Sequence, residues 1–178
     1  MNPLKFGITQ DEFLEYHMYA NGRSKSAVKK RFMLRVFLAI SYISFGIYLC
    51  LYSNLYLGIV FIVLGIVWYL IFPSRSKRTH SKFYKKHINE NYKARMLSET
   101  ELSFENNHFY IKDNSTESKF SVTEIEEIIE LKRLFVVKIK NGSHILLSKK
   151  DANITSRVRA IFNEIGVLTQ DNTDWQWK

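Results

Sequence analysis

The chain has 178 residues, 46% of them hydrophobic and 15% aromatic, with 7 glycines, 2 prolines and 1 cysteine. That composition excludes a collagenous or linker-dominated protein and wholesale disorder, and a lone cysteine excludes an intramolecular disulfide framework and a cysteine-based zinc ribbon. The net charge of +9 is unevenly placed: 7 basic against 3 acidic side chains over residues 1–35, 8 against 1 over 75–97, 11 against 13 over 98–178, and none between Arg35 and Arg75.

In chain order, Leu4, Phe6 and Ile8 alternate as a short strand does. Thr9-Gln10-Asp11-Glu12 is a capping box, with the hydroxyl at the cap and the carboxylate three residues on, so a helix starts there. Phe13, Leu14, His17 and Met18 give it one apolar face, and Asn21-Gly22 is a natural stop. Arg23, Lys25, Lys29, Lys30, Arg31 and Arg35 then lead into the uncharged run.

That run divides at Ser53-Asn54 into residues 36–53 and 55–72. Eighteen residues of helix rise about 27 Å, close to the thickness of one hydrocarbon core. The expectation is a hairpin that crosses a membrane twice. A cleaved signal peptide is excluded because the run starts too late and is too long. A buried helical pair is disfavoured because the rest of the chain has too little apolar mass to wrap it. Both flanks are basic, which holds both termini in the cytoplasm and leaves the Ser53-Asn54 turn outside a cell membrane. Tyr42, Tyr48, Tyr52, Tyr56, Trp68 and Tyr69 suit interfacial or bundle positions, and the sequons at Asn114 and Asn153 would face the cytoplasm unmodified. Gly58 and Gly65, with Ser41 and Ser44, let two helices approach closely, and Cys50 reads as a small apolar residue.

Residues 74–97 predict a basic helix in which Tyr84, Ile88, Tyr92 and Met96 recur every four residues. It either extends the second span or lies on anionic headgroups. Arg31, Arg35, Arg75, Lys77, Arg78, Lys82, Lys85 and Lys86 are the candidate headgroup-binding and topology-setting residues, with membrane lipids as the expected partner.

From residue 98 the pattern changes to short strands. Thr100, Leu102 and Phe104 alternate, Asn106-Asn107 turns the chain, and Phe109 and Ile111 follow. After the polar loop from Asp113 to Ser118, Phe120 and Val122 begin another strand. Ile125, Ile128, Ile129 and Leu131 fit a short turn leading into a strand. Phe135, Val137 and Ile139 form a clear strand, and Asn141-Gly142 is a hairpin signal with its return at Ser143 to Ser148. Asp151 caps a helix with the face Ile154, Val158, Ile161, Phe162 and Ile165, closed by Gly166. Residues 167–178 have no period.

The expected fold is therefore an α+β membrane protein. It comprises an N-terminal strand, helix and basic flank (1–35), spans at 36–53 and 55–72, a basic helix (74–97), a small cytoplasmic antiparallel β-sheet domain closed by a C-terminal helix (98–166), and a tail (167–178). The sheet domain, of five or six strands, is marginal alone. Either the N-terminal strand and helix or a second copy of the chain, in a homodimer, completes its core.

Motifs for chemistry are missing. No phosphate-cradling glycine loop and no HExxH occurs, and His17, His80, His87, His108 and His144 are scattered, so neither metal nor cofactor is expected and no residue is a catalytic candidate. Glu124, Glu126, Glu127 and Glu130 alternate with isoleucines as a solvated face would. Nucleic acid is not expected, because Phe109, Phe120 and Phe135 read as core rather than as stacking platforms.

The layout, together with the run from Phe120-Ser-Val-Thr-Glu-Ile125 through Leu134 to Ile139, Asn141-Gly142 and Ile145-Leu-Leu147, resembles the YcxB-like small bacterial membrane proteins. The resemblance implies a C-terminal domain similar to a pleckstrin-homology sheet and helix, and carries over no catalytic residue. The functional expectation is a non-enzymatic, membrane-tethered module that binds a protein partner or anionic lipid. The alternative is a membrane immunity protein that neutralises an antibacterial toxin. An enzyme acting on lipid or peptidoglycan precursors is the weakest reading, for want of a convergent polar set.

Overall fold

The computed structural model describes residues 3–92, 99–113 and 117–177. Its elements are β1 (Leu4–Phe6), α1 (Gln10–Arg23), α2 (Lys25–Tyr52), α3 (Leu55–Asn91), β2 (Thr100–Glu105), β3 (His108–Lys112), β4 (Glu117–Ser121), a 3-10 turn (Val122–Glu124), β5 (Ile125–Glu130), β6 (Leu134–Ile139), β7 (His144–Ser148), α4 (Ala152–Ile165) and β8 (Thr169–Asp171). Met96 and Asn114, singled out above, lie outside the described residues. The chain gathers into two compact units, Met1–Tyr16 with Lys85–Gln176 and His17–Tyr84 with Trp177–Lys178.

The first unit holds two four-stranded sheets. In the first, the order is β1-β2-β3-β4 and every pairing is antiparallel. The N-terminal strand is therefore hydrogen-bonded to a strand, β2, that begins about a hundred residues later, with Leu4 opposite Leu102. Alternation explains the faces: Leu4, Phe6, Leu102, Phe109 and Phe120 are buried, and the rings of Phe109 and Phe120 stack at 5.2 Å. On the other face Lys5, Glu101, Lys112 and Glu117 stand in one row of alternating sign across all four strands. Asn106 and Asn107 take φ of 51° and 62°, the two left-handed positions a tight hairpin needs.

The second sheet has the order β7-β6-β5-β8. Central β6 is buried at Leu134, Phe135, Val136, Val137 and Ile139, which is why it reads as an almost unbroken apolar run. The segment from Val122 resolves as a 3-10 turn followed by a strand, with a bulge between Ile125 and Glu127 that disturbs the period of two. Among the described residues of 98–166 every pairing is antiparallel, as expected. The tail, which has no period, adds one more strand, β8, which runs parallel to β5 with Ile128 opposite Thr169. Three polar residues joined through their backbone at a sheet edge leave no period to read. Asp151 Oδ1 accepts from the Asn153 and Ile154 N–H groups at 2.7 and 3.4 Å, and Gly166 ends α4 with φ 68°. Val158, Ile161 and Phe162 are buried, with Phe162 edge-on to Phe135.

The start of α1 belongs to this unit. Glu12 Oε2 accepts from the Thr9 N–H at 2.7 Å, completing the capping box, while its Oε1 accepts from the Ser148 hydroxyl of β7 at 2.5 Å. That carboxylate is only 3% exposed, so the cap also ties helix to sheet. Phe13 meets Tyr92, Gln10 bonds Asn89, and Ile88 is fully buried. The four-residue repeat that reads as amphipathic is thus a packing face at Ile88 and Tyr92.

The second unit is built on the α2–α3 hairpin. Ser24 caps α2, and Asn54 Oδ1 caps α3 by accepting from the Tyr56 and Leu57 N–H groups. At 1.5 Å per residue, α2 (28 residues) is about 42 Å long and α3 (37 residues) about 55 Å. The seam runs through small residues: a Cβ placed on Gly58 would meet the Gly46 carbonyl at 2.6 Å, and one on Gly65 the Ala39 carbonyl at 3.0 Å. Ser41 and Ser44, expected in the seam, are instead exposed; Ser41 bonds back to the Phe37 carbonyl of its own helix. Ala39, Gly46 and Cys50 take their place. Of the two alternatives for the basic helix, the structure has the one in which it extends the second apolar helix: α3 continues through Pro73 to Asn91 without a break.

Candidate functional site

The eight basic candidates divide into two sets. Arg31 donates to Asn21 Oδ1 and lies over the Trp177 ring at 4.2 Å. Asn21 in turn donates to the Tyr84 hydroxyl at 2.9 Å, and the Tyr84 ring stacks on His17 at 5.3 Å. Arg35 donates through Nε to the Tyr69 carbonyl at 2.9 Å, with its guanidinium 3.8 Å from the centre of the Tyr69 ring. Both arginines are half-buried and engaged within the helical unit. Arg75, Lys77, Arg78 and Lys82 in that unit, and Lys85 and Lys86 in the other, are exposed on α3. Lys86 faces Glu90 at 3.8 Å.

The three exposed cations of α3 nearest the apolar stretch, Arg75, Lys77 and Arg78, lie about 4 to 9 Å beyond Phe72 along the helix axis at its ordinary rise. That is within one Debye length or so of a charged surface that begins at Phe72. Before Phe72 the surface of the hairpin is of the opposite kind. Phe37 and Leu51 are 69% exposed and Leu70 66%, among a score of other uncovered large apolar side chains. Two helices of this length and hydropathy are long and apolar enough to cross a membrane.

No catalytic constellation accompanies this surface among the described residues. His80 Nδ1 sits 2.9 Å from the Ser76 carbonyl and His87 Nδ1 accepts from Asn91 at 3.0 Å; no three His, Cys, Asp or Glu residues are gathered for a metal. A cleft of about 510 Å3 between β1 and the start of α4 is lined by Lys5, Phe6, Ser148, Lys150, Asp151 and Ile154. Three of its polar groups are engaged elsewhere: Lys5 with Glu101 at 2.7 Å, Ser148 with Glu12, and Asp151 as the α4 cap; Lys150 is exposed at its edge.

In the acidic cluster Glu124 and Glu126 are exposed, as a solvated face requires, while Glu127 and above all Glu130 are drawn out of solvent. Glu124 closes a capping box with Ser121, and Glu126 pairs with Lys138 at 2.7 Å. Glu130 receives Lys149 at 2.6 Å and Arg159 at 2.5 Å, with its side chain 13% exposed. Burial pushes the Glu130 carboxyl up, but hydrogen bonds from Arg159 and Lys149, together with their charges, outweigh it and hold the group below the usual carboxylate range.

Sequence reasoning missed the Arg35–Tyr69 contact. Its signal was present in Pro73: a helical proline has no N–H, so the carbonyl four residues earlier needs another donor.

Compared with known families, with characterised proteins and with solved structures, the chain matches none.

Proposed function

We propose that this is an integral membrane protein of the cell membrane, with the α2–α3 hairpin crossing the bilayer twice and both termini in the cytoplasm. It acts without catalysis, as a tethered module that engages anionic lipid at the membrane surface. The observation that carries the reading is the change along α3, from uncovered apolar side chains up to Phe72 to uncovered cations from Arg75. A bilayer presents the matching sequence of environments, hydrocarbon and then anionic headgroups. Arg75, Lys77 and Arg78 make the headgroup contact, each worth about 1 kcal/mol.

A four-stranded meander, a three-stranded meander and a C-terminal helix in that order support a pleckstrin-homology-like module, and with it the YcxB-like resemblance. On this reading β1, which precedes the hairpin, is the first strand of the module.

The test uses the full chain extracted in mild detergent, with bound lipid counted by mass spectrometry. Substituting Arg75→Glu, Lys77→Glu and Arg78→Glu together is expected to weaken retention of anionic lipid about a hundredfold, the loss of three contacts of about 1 kcal/mol each. Equal retention by the variant and the parent chain overturns the lipid assignment.

A further inference from the structure

Pro73 stands in the interior of α3 and has no N–H to offer the carbonyl of Tyr69, four residues back. Ordinarily such a site kinks, or the freed carbonyl finds water. Here Tyr69 lies at the end of the apolar stretch, where water is scarce if the stretch is a span, and the donor comes from the other helix. Arg35 Nε bonds that carbonyl at 2.9 Å and the guanidinium rests 3.8 Å from the ring of the same tyrosine. Two contacts from one side chain, one to the backbone and one to the ring of a single residue, fix the guanidinium against that turn of α3.

We infer that Arg35 is a lock on a proline hinge in α3. While Arg35 holds the Tyr69 carbonyl, α3 keeps its helical path through Pro73 and holds Arg75, Arg78 and Lys82 in one orientation relative to the apolar stretch. When Arg35 lets go, the turn from Tyr69 to Pro73 is free to bend, and those cations swing toward the plane of the surface. Arg35 is thus a positioning residue for the cationic segment rather than a headgroup ligand. The inference rests on the membrane reading above for its consequence, but not for the lock itself.

The test measures the distance between spin labels at Leu64→Cys and Thr79→Cys, in a Cys50→Ser background, by pulsed electron resonance in nanodiscs of zwitterionic lipid. Both positions are exposed on α3. Fifteen residues of straight helix put the backbones about 22 Å apart, and the parent should give one narrow distribution near that value. Arg35→Ala is expected to shorten the mean and at least double the width, and Pro73→Ala added to it is expected to restore the narrow distribution by returning the N–H. An unchanged distribution in Arg35→Ala overturns the lock. So does broadening that Pro73→Ala fails to correct, because Arg35 then acts on something other than the freed carbonyl. If Arg35→Ala alone does not fold, the contrast is read on Pro73→Ala, where adding Arg35→Ala must change nothing. Entry into the nanodisc reports separately on the membrane reading, and the contrast holds equally in detergent.

Discussion

Glu130 accepts from Lys149 and Arg159 at once, and Lys149 is itself only 12% exposed. Removing the carboxylate leaves that ammonium largely out of water without its partner, a loss of about 3 kcal/mol. Because the folded carboxyl titrates below its unfolded value near 4.5, its stabilisation is complete above that pH and is lost as pH falls through the folded value. Glu130→Gln should therefore lower stability near neutrality and give a shallower acid limb than the parent, read from denaturant midpoints at several pH values. An acid limb as steep as the parent's would assign it to the other depressed carboxyls, Glu101 and Asp171. The four glutamates also show how far single residues can be read. Glu124 carries a local signal that the reading of a solvated face passes over: Ser121 three residues earlier spells a capping box, and no distant partner is required. Glu130 carries no such signal, because its two cations arrive from β7's end and from α4, and only the folded sheet brings them together.

At the scale of elements, local chemistry was readable wherever one turn or one period decided the outcome. Thr9 and Glu12, Asn106-Asn107, Asn141-Gly142, Asp151 and Gly166 all act within a few residues of themselves. Elements fixed by distant partners were not: β8 has no pattern of its own, and Pro73 reads as a boundary until Arg35 is seen to supply the missing donor. The hairpin seam falls between these cases. Gly58 and Gly65 announced a close approach, but helix direction alone did not say which residues of α2 would face them. The answer, Ala39, Gly46 and Cys50, yields a sharp contrast. A side chain at Gly58 would meet Cys50 Sγ at 2.2 Å and the Gly46 carbonyl at 2.6 Å, and the latter is backbone that cannot swing aside. Gly58→Val should force the helices apart and cost about 3 kcal/mol, seen as a lower melting temperature in detergent and as faster modification of Cys50 by a small maleimide. Ser41→Ala, on the exposed side of α2, should leave both readouts where they were. If the serine variant proves the more damaging, the seam is on the wrong face of α2.

For the whole molecule, the charge map was the most legible feature, because a 39-residue gap without charge survives any error in element boundaries. Folding does not cover that gap: only about a tenth of the most apolar window of α2 or α3 is buried. Each large apolar side chain left in water forgoes about 2 kcal/mol relative to burial, so a hairpin with more than twenty of them uncovered is stable only where something apolar surrounds it. A bilayer does this for the whole circumference, whereas a partner on one face would leave the other wet. The consequence is a definite pattern of access in intact cells. In a Cys50→Ser background, Asn54→Cys at the hairpin turn should react with a membrane-impermeant maleimide from outside, and Thr79→Cys on the cationic part of α3 only after permeabilisation. The protein should also stay with the membrane in alkaline carbonate. The reverse labelling pattern would overturn the orientation proposed from the basic flanks. Labelling at both positions without permeabilisation, together with release into carbonate, would remove the bilayer from the account and require a protein partner that encloses both helices.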